Sequence, residues 1–273
     1  MTRLRYQPFD WYETPRYYDI VYDGDSAAEV QFLVDVYAAH GAGSRGGGAH
    51  GRGGRARRTR PRVLEPACGT GRHFPGLVAR GFTCVGFDIE EGMLAMARAR
   101  CPEATLTRQS MQTFRVRGHF DLAFNLLSSF KHILDPEGAT SHLRRIADAL
   151  HPGGLYILGL HESEYDLPHR KRERWQGHRD DTHVTVNLQV WPANPTTRLE
   201  HVRSRLIVEQ GGERRGYESH WDFRTYDDHE IRSLVAEEPR LRLEAVYGFE
   251  HRVDRPHELG GERLDHVLVL RRG

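Results

Sequence analysis

Between Arg62 and Leu160, short apolar runs alternate with stretches in which apolar residues recur every three or four positions, the rhythm of strands followed by helices. The first run ends in Glu65 and enters the turn Pro-Ala-Cys-Gly-Thr-Gly-Arg, after which Phe74, Leu77 and Val78 share one helical face. Phe82 to Phe87 is a second run closed by Asp88, and Glu90 to Arg100 reads as a helix that stops at Pro102. Thr105 to Arg108 and His119 to Phe130 supply a third and a fourth strand, and Leu155 to Leu160 a fifth. Between the last two lies an amphipathic helix, Thr140 to Leu150, with Leu143, Ile146, Ala147 and Leu150 in register, and the turn His151-Pro152-Gly153-Gly154. Upstream, Ser26 to His40 is helical in pattern, with Ser26 and Glu29 at capping-box spacing.

After Leu160 the texture changes. Val184, Val186, Leu188 and Val190 alternate with other residues, and Thr182 to Val190, Arg198 to Gln210 and Gly216 to Arg224 read as three antiparallel strands. Asp227 with Glu230 starts a last helix, and Leu241 to Phe249 with His266 to Leu270 supply two closing strands. The expected organisation is an aromatic lid and helix at 1–40, a disordered Gly/Arg-rich loop at 41–61, a core at 62–160, an inserted antiparallel roof at 161–225, and a helix with a β-hairpin at 226–273. Disorder is expected at 41–61 because that composition buries too little apolar surface to offset the entropy of ordering it. The dense aromatics Phe9, Trp11, Tyr12, Tyr17, Tyr18 and Tyr22 are expected to pack, either as a cap on the core or as a lid over a ligand cleft.

Composition narrows the function class. A chain of 273 residues with 38% hydrophobic residues makes one large domain, or one domain with an insertion. Seven arginines from Arg45 to Arg62 lie together without an acid, so the net charge of +1 leaves the remaining body at −6 and argues against a broad nucleic-acid surface there. No apolar run approaches the roughly 20 residues of a membrane span, and the first residues lack a secretory signal, so a cytoplasmic protein is expected. Cys68, Cys84 and Cys101 show no Cys-x-x-Cys spacing, and none of the 17 histidines stands in a His-Glu-x-x-His pattern; no disulfide framework and no metal are expected.

The chemistry concentrates at one sheet edge. A glycine turn at a helix N-terminus lets a ligand approach the main chain, and Glu65 before it repels pyrophosphate and suits a ligand carrying an amine. Asp88 follows Gly69 at about the separation at which an α/β nucleotide fold sets an acid on ribose hydroxyls. His132, after the fourth strand, and His161 with Glu162, after the fifth, are the candidate bases.

In order and spacing, the Val63 to Arg72 motif, Asp88, Gln109-Ser110-Met111, the Asp121 to Asn125 strand and Pro152-Gly153-Gly154 resemble a class I S-adenosylmethionine-dependent methyltransferase. Tyr17 to Tyr22 and Ser128 to His132 are similar to its small-molecule branch, including sugar N-methyltransferases and glycine N-methyltransferase-like enzymes. The resemblance implies an α/β fold with a Rossmann-like, seven-stranded, mostly parallel sheet and a small antiparallel roof. It implies S-adenosyl-L-methionine as cofactor: Glu65 organising the loop around the methionine part, carbonyls near Ala67 and Asn125 on its amino group, Gly69 and Gly71 allowing close approach, Asp88 on the ribose, and Ile89 lining the adenine pocket. Ser110 stands where many relatives carry an acid, which leaves Ser110, Gln109 or the main chain at Met111 to meet the adenine amine. Tyr18 and Tyr22 would enclose the methyl group, with Trp221, His220 and Arg224 lining the acceptor pocket from the roof.

The expected activity is methyl transfer to N or O of a small molecule, by a monomer or homodimer. The alternatives are RNA or protein methylation with the Arg/Gly-rich loop as docking arm, and a non-catalytic cofactor- or RNA-binding module.

Overall fold

The aromatic N-terminus forms strand β1 (Tyr6–Pro8) and helix α1 (Pro15–Tyr22), followed by α2 (Ser26–His40). The core then runs β2 (Arg62–Pro66), α3 (Phe74–Ala79), β3 (Thr83–Asp88), α4 (Glu91–Arg100), β4 (Thr105–Arg108), β5 (Phe120–Asn125), α5 (Pro136–Ala149) and β6 (Leu150–His161). Four long strands follow, β7 (Lys171–Arg179), β8 (Thr182–Val190), β9 (Leu199–Gln210) and β10 (Glu213–Arg224), and then α6 (Asp228–Ala236), β11 (Leu241–Tyr247) and β12 (Asp265–Arg272). The computed structural model describes residues 4–12, 14–22, 24, 26–41, 60–163, 165 and 170–273; the loop expected at 41–61 falls almost wholly outside them.

Seven strands make one sheet in the order β11-β12-β6-β5-β2-β3-β4. Only β12 runs against its neighbours. Both faces are covered, Leu33, Phe74 and Phe124 packing on one and Phe87, Phe130, Leu143 and Tyr156 on the other. Burial on both faces is why these strands read as unbroken apolar runs. The chain leaves central β2 toward β3 and β4 and returns to β5 on the other side. That reversal opens a crevice beyond the carboxyl ends of β2 and β5, where open α/β sheets bind ligands.

The second sheet has order β1-β10-β9-β8-β7. Its ladder from β7 to β10 is antiparallel, while β1 joins β10 in parallel. Three strands were expected here and five are present. The β7 sequence Lys-Arg-Glu-Arg-Trp-Gln-Gly-His-Arg has almost no apolar alternation, as suits an edge strand, and β1 comes from the distant aromatic arm. A Cβ on Gly177 of β7 would collide with the Ile20 carbonyl, so a side chain there would push α1 off the sheet.

Two helix starts depart from expectation. α5 begins at Pro136, before Thr140, because the Asp135 side chain accepts from the Gly138 amide at 2.6 Å and proline fits the first turn. Glu29, read as half of a capping box, turns its carboxylate inward and is 1% exposed. The Asp227–Glu230 box opening α6 is as expected.

Candidate active site

At the carboxyl end of β2 the chain bends sharply: Ala67, Gly69 and Gly71 all have positive φ. Gly71 is demanded by packing, since a Cβ there would press on Ala97 of α4 and on the Phe74 ring. At the end of β5, Leu127 and Ser128 are consecutive non-glycine residues at φ 55° and 59°. Such conformations cost about 1 kcal/mol or more each and cluster at ligand sites. The two bends face each other across a narrow cavity of about 30 Å³, lined by Glu65, Ala67, Gly69, Asn125, Leu127 and Ser129, with Tyr18 of α1 over it.

Glu65 is buried, and its Oε1 accepts from His73 Nδ1 at 2.7 Å while Oε2 has no partner. Burial raises its pKa, opposed chiefly by His73. Asp88 accepts from the Gly69 amide at 2.8 Å with one oxygen and from the Glu90 amide at 2.9 Å with the other. Burial raises its pKa as well, and those amides pull it back. Each of its oxygens keeps a further acceptor position. Beside it Ile89 is 56% exposed, an apolar side chain left uncovered on the ligand edge. β4 is hooked to the same place, because the Gln109 amide donates to the Asp88 carbonyl.

These features fit S-adenosylmethionine: a buried carboxylate oxygen without a partner for an ammonium, an acid with spare acceptor positions for hydroxyls, and an uncovered apolar side chain for a base. Three of the expected cofactor residues have partners of their own within the fold. Asn125 Nδ2 donates to the Pro66 carbonyl at 2.5 Å, and its Oδ1 accepts from the Tyr156 hydroxyl at 2.7 Å, so its side chain ties β5 to β2 and leaves only its main chain for a ligand. The Ser110 hydroxyl accepts from the Gln112 amide, and the Met111 carbonyl accepts from His142.

Over the cavity lies α1. The Tyr18 and Tyr22 rings meet at 4.5 Å, tilted to each other, and Tyr22 also meets Trp175 of β7 at 6.0 Å. Burial pushes the Tyr18 phenol up to about 12 and that of Tyr22 higher still, so both are neutral. Asp19 is 1% exposed and accepts from Thr70 of the glycine turn, Arg100 of α4 and Arg179 of β7. One carboxylate thus joins lid, cofactor turn and second sheet.

His132 sits in a short 3-10 turn, Ser129–His132, after β5. Its Nε2 shares a 2.9 Å hydrogen bond with the Tyr12 hydroxyl, and its ring meets Phe223 of β10. Burial, helped by the Lys131 charge, lowers its pKa to about 4. His161 is placed elsewhere: it pairs with Asp265 at 2.7 Å and lies outside the cavity lining, while Glu162 pairs with His266. Of the roof residues, Trp221 packs with the lid aromatics. His220, one position earlier, points to the opposite face and bonds His201 and Glu218, a consequence of strand alternation.

Sequence reasoning missed Asp19, Glu29, Arg72 and His73. No spacing marks them, because their partners lie on other elements; the one signal was charge in otherwise apolar surroundings. Among the described residues no helix is long and apolar enough to cross a membrane, and no group of three or more His, Cys, Asp or Glu side chains is placed to hold a metal ion.

Residues 63–154 match the methyltransferase domain family. Over 96 residues the chain is 31% identical to the Streptomyces venezuelae dTDP-3-amino-3,4,6-trideoxy-alpha-D-glucopyranose N,N-dimethyltransferase, an alignment covering 35% of this chain and 40% of that one. Among solved structures, Streptomyces venezuelae DesVI superposes with a TM-score of 0.74 at 18% identity, covering 98% and 100% of the two chains. S-adenosylmethionine-bound CalS10, an amino pentose methyltransferase from Micromonospora echinaspora, does so at 0.66 and 18%, covering 99% and 100%. At those identities the superpositions speak for the fold. With the matched domain beside them, residues 63–154 carry a methyltransferase domain, and the chain resembles the S-adenosylmethionine-dependent sugar N-methyltransferases.

Proposed function

We propose that the protein methylates a nitrogen of a small molecule, with the five-stranded sheet and α1 enclosing the acceptor. The observation that carries this reading is the Tyr12–His132 pair between lid, β5 exit and β10. His132 is held neutral by burial, and burial raises the Tyr12 phenol well above its ordinary value. Neither group at neutral pH is a base strong enough to draw a proton from an alcohol. A neutral amine needs no such help, because its lone pair attacks directly once it is positioned and water is excluded.

When bound, the cofactor supplies a methyl group on a sulfonium. The residues of this chain do the rest: Glu65 and the Ala67 turn hold the methionine end, Asp88 the ribose, and Ile89 the base. Tyr18 and Tyr22 close the cavity with neutral aromatic surface, which suits a cationic sulfur and keeps water out. Support for a sugar-like amine comes from the named relative, whose substrate is an amino sugar.

Purified protein incubated with methyl-labelled cofactor and matched panels of amino and hydroxy sugars should label the amines. Labelling confined to hydroxyls overturns the nitrogen assignment.

A further inference from the structure

Behind the cavity, four ionisable side chains from three parts of the chain are shut away from water together: Glu29 of α2, Glu65 of β2, and Arg72 and His73 at the end of the glycine turn, none more than 9% exposed. His73 stands between the two acids, with Nδ1 at 2.7 Å from Glu65 and Nε2 at 3.0 Å from Glu29. Both ring nitrogens face carboxylates, which are acceptors when ionised, so both must carry hydrogen to satisfy this geometry. Arg72 pairs with Glu29 and donates to the Tyr22 carbonyl at 3.0 Å. With His73 charged, the four groups sum to zero, the condition under which buried ions are tolerable. The Phe124 ring stands edge-on to the imidazole at 5.3 Å and fixes its plane.

We propose that His73 is a positioning residue for cofactor binding: held between Glu29 and Glu65 as a doubly donating bridge, it keeps the Glu65 carboxylate ionised and its free oxygen available to the α-ammonium of S-adenosylmethionine. This deepens the cofactor reading and rests on it. Two observations meet at Glu65. One oxygen is spent on His73, and the other is buried without a partner in a residue that lines the cavity. The groups facing the bridge are Glu29 from α2, Arg72 from the turn, Tyr18 from α1, Cys68 beside Glu65, and the Phe124 ring from β5. Tyr18 and Cys68 are neutral, since burial raises both. Burial alone would lower the His73 pKa, and the two carboxylates outweigh it and raise it. Burial would raise Glu29, yet its bonds to His73 and Arg72 bring it down to about 2.

The test is the pH dependence of S-adenosylhomocysteine affinity, measured by calorimetry on the unmodified protein, His73→Gln and Glu29→Gln. The unmodified protein should bind with nearly constant affinity across neutral pH. In His73→Gln, Glu65 loses its buried cation and takes up a proton, so affinity should fall roughly tenfold for each unit of pH below the new Glu65 value and recover as pH rises. Glu29→Gln should shift the dependence in the same sense by less. A merely structural role for His73 predicts weakening by one factor at every pH, and that result overturns the proposal. Nitrogen NMR of the cofactor-free, unmodified protein decides the bridge even if His73→Gln does not fold: both His73 ring nitrogens should be protonated at neutral pH, and a neutral tautomer overturns it. If the unmodified protein binds no S-adenosylhomocysteine at any pH, the cofactor reading falls and the proposal with it. If it binds and only the predicted pH dependence is missing, the proposal alone falls.

Discussion

The Thr70 hydroxyl donates to Asp19 Oδ1 at 2.6 Å, and through that bond the lid helix is fastened to the glycine turn. The same carboxylate accepts from Arg100 and Arg179, and these three donors outweigh the burial that would otherwise raise its pKa, holding it below the ordinary value. With the lid seated, the cavity beneath has room for only about two waters. Displacement of α1 is therefore the expected route for cofactor entry and exit.

Asp19→Asn keeps the shape and removes the charge that holds two arginines. It should cost about 3 kcal/mol of stability, as breaking a buried ion pair does. It should also speed S-adenosylhomocysteine release in stopped-flow measurements. Unchanged release would show that α1 does not gate the site.

Asp88→Ala removes the acceptor beside the β3 exit and frees the Gly69 and Glu90 amides. Loss of a charged acceptor for hydroxyls is worth about 2 to 3 kcal/mol, so calorimetry should show S-adenosylhomocysteine binding weakened roughly 30- to 150-fold. Asp88→Asn should keep part of the affinity.

The pH profile of turnover should follow the acceptor. With the His132 pKa lowered to about 4, no enzyme group of this pair titrates near neutrality, so kcat/KM should rise with pH until the acceptor amine is deprotonated and then level off. His132→Gln should leave the position of that rise unchanged while lowering its height. A rise that moves with the variant would make His132 the base.

Stability should fall on the acid side for a separate reason. His142 is wholly buried and donates to the Met111 carbonyl, and burial lowers its pKa to about 4. A histidine neutral in the fold and free to charge when unfolded gives stability that is complete above about pH 6.5 and is lost as pH falls toward 4, up to about 3 kcal/mol. Denaturant unfolding at pH 7 and pH 5 should show the loss, and His142→Gln should reduce the difference between the two.

The sheet was legible because its central strands are buried on both faces and carry their turn chemistry with them: Glu65 to Gly71 after β2 and Asp88 after β3 announce themselves in one dimension. β7 was not, since an edge strand of Lys, Arg and Glu has no pattern to show. The site was half legible. Residues that touch the crevice from strand ends could be placed, whereas Glu29 could be read only as a cap, because its true partners lie about 44 positions downstream and meet it through folding alone. His220 was placed beside Trp221 on the acceptor side, although neighbours on a strand cannot share a face.

The parallel pairing of β1 with β10, Tyr6 beside Gly216, joins positions about 210 residues apart, and contacts of such separation form late. The sheet around β2 can assemble from segments already synthesised, but the arm that carries Tyr12 has nothing to pair with until Glu213 to Arg224 has emerged. Cofactor affinity should therefore appear during synthesis before the acceptor pocket does, leaving an interval in which the protein can hold its methyl donor without yet selecting what to methylate.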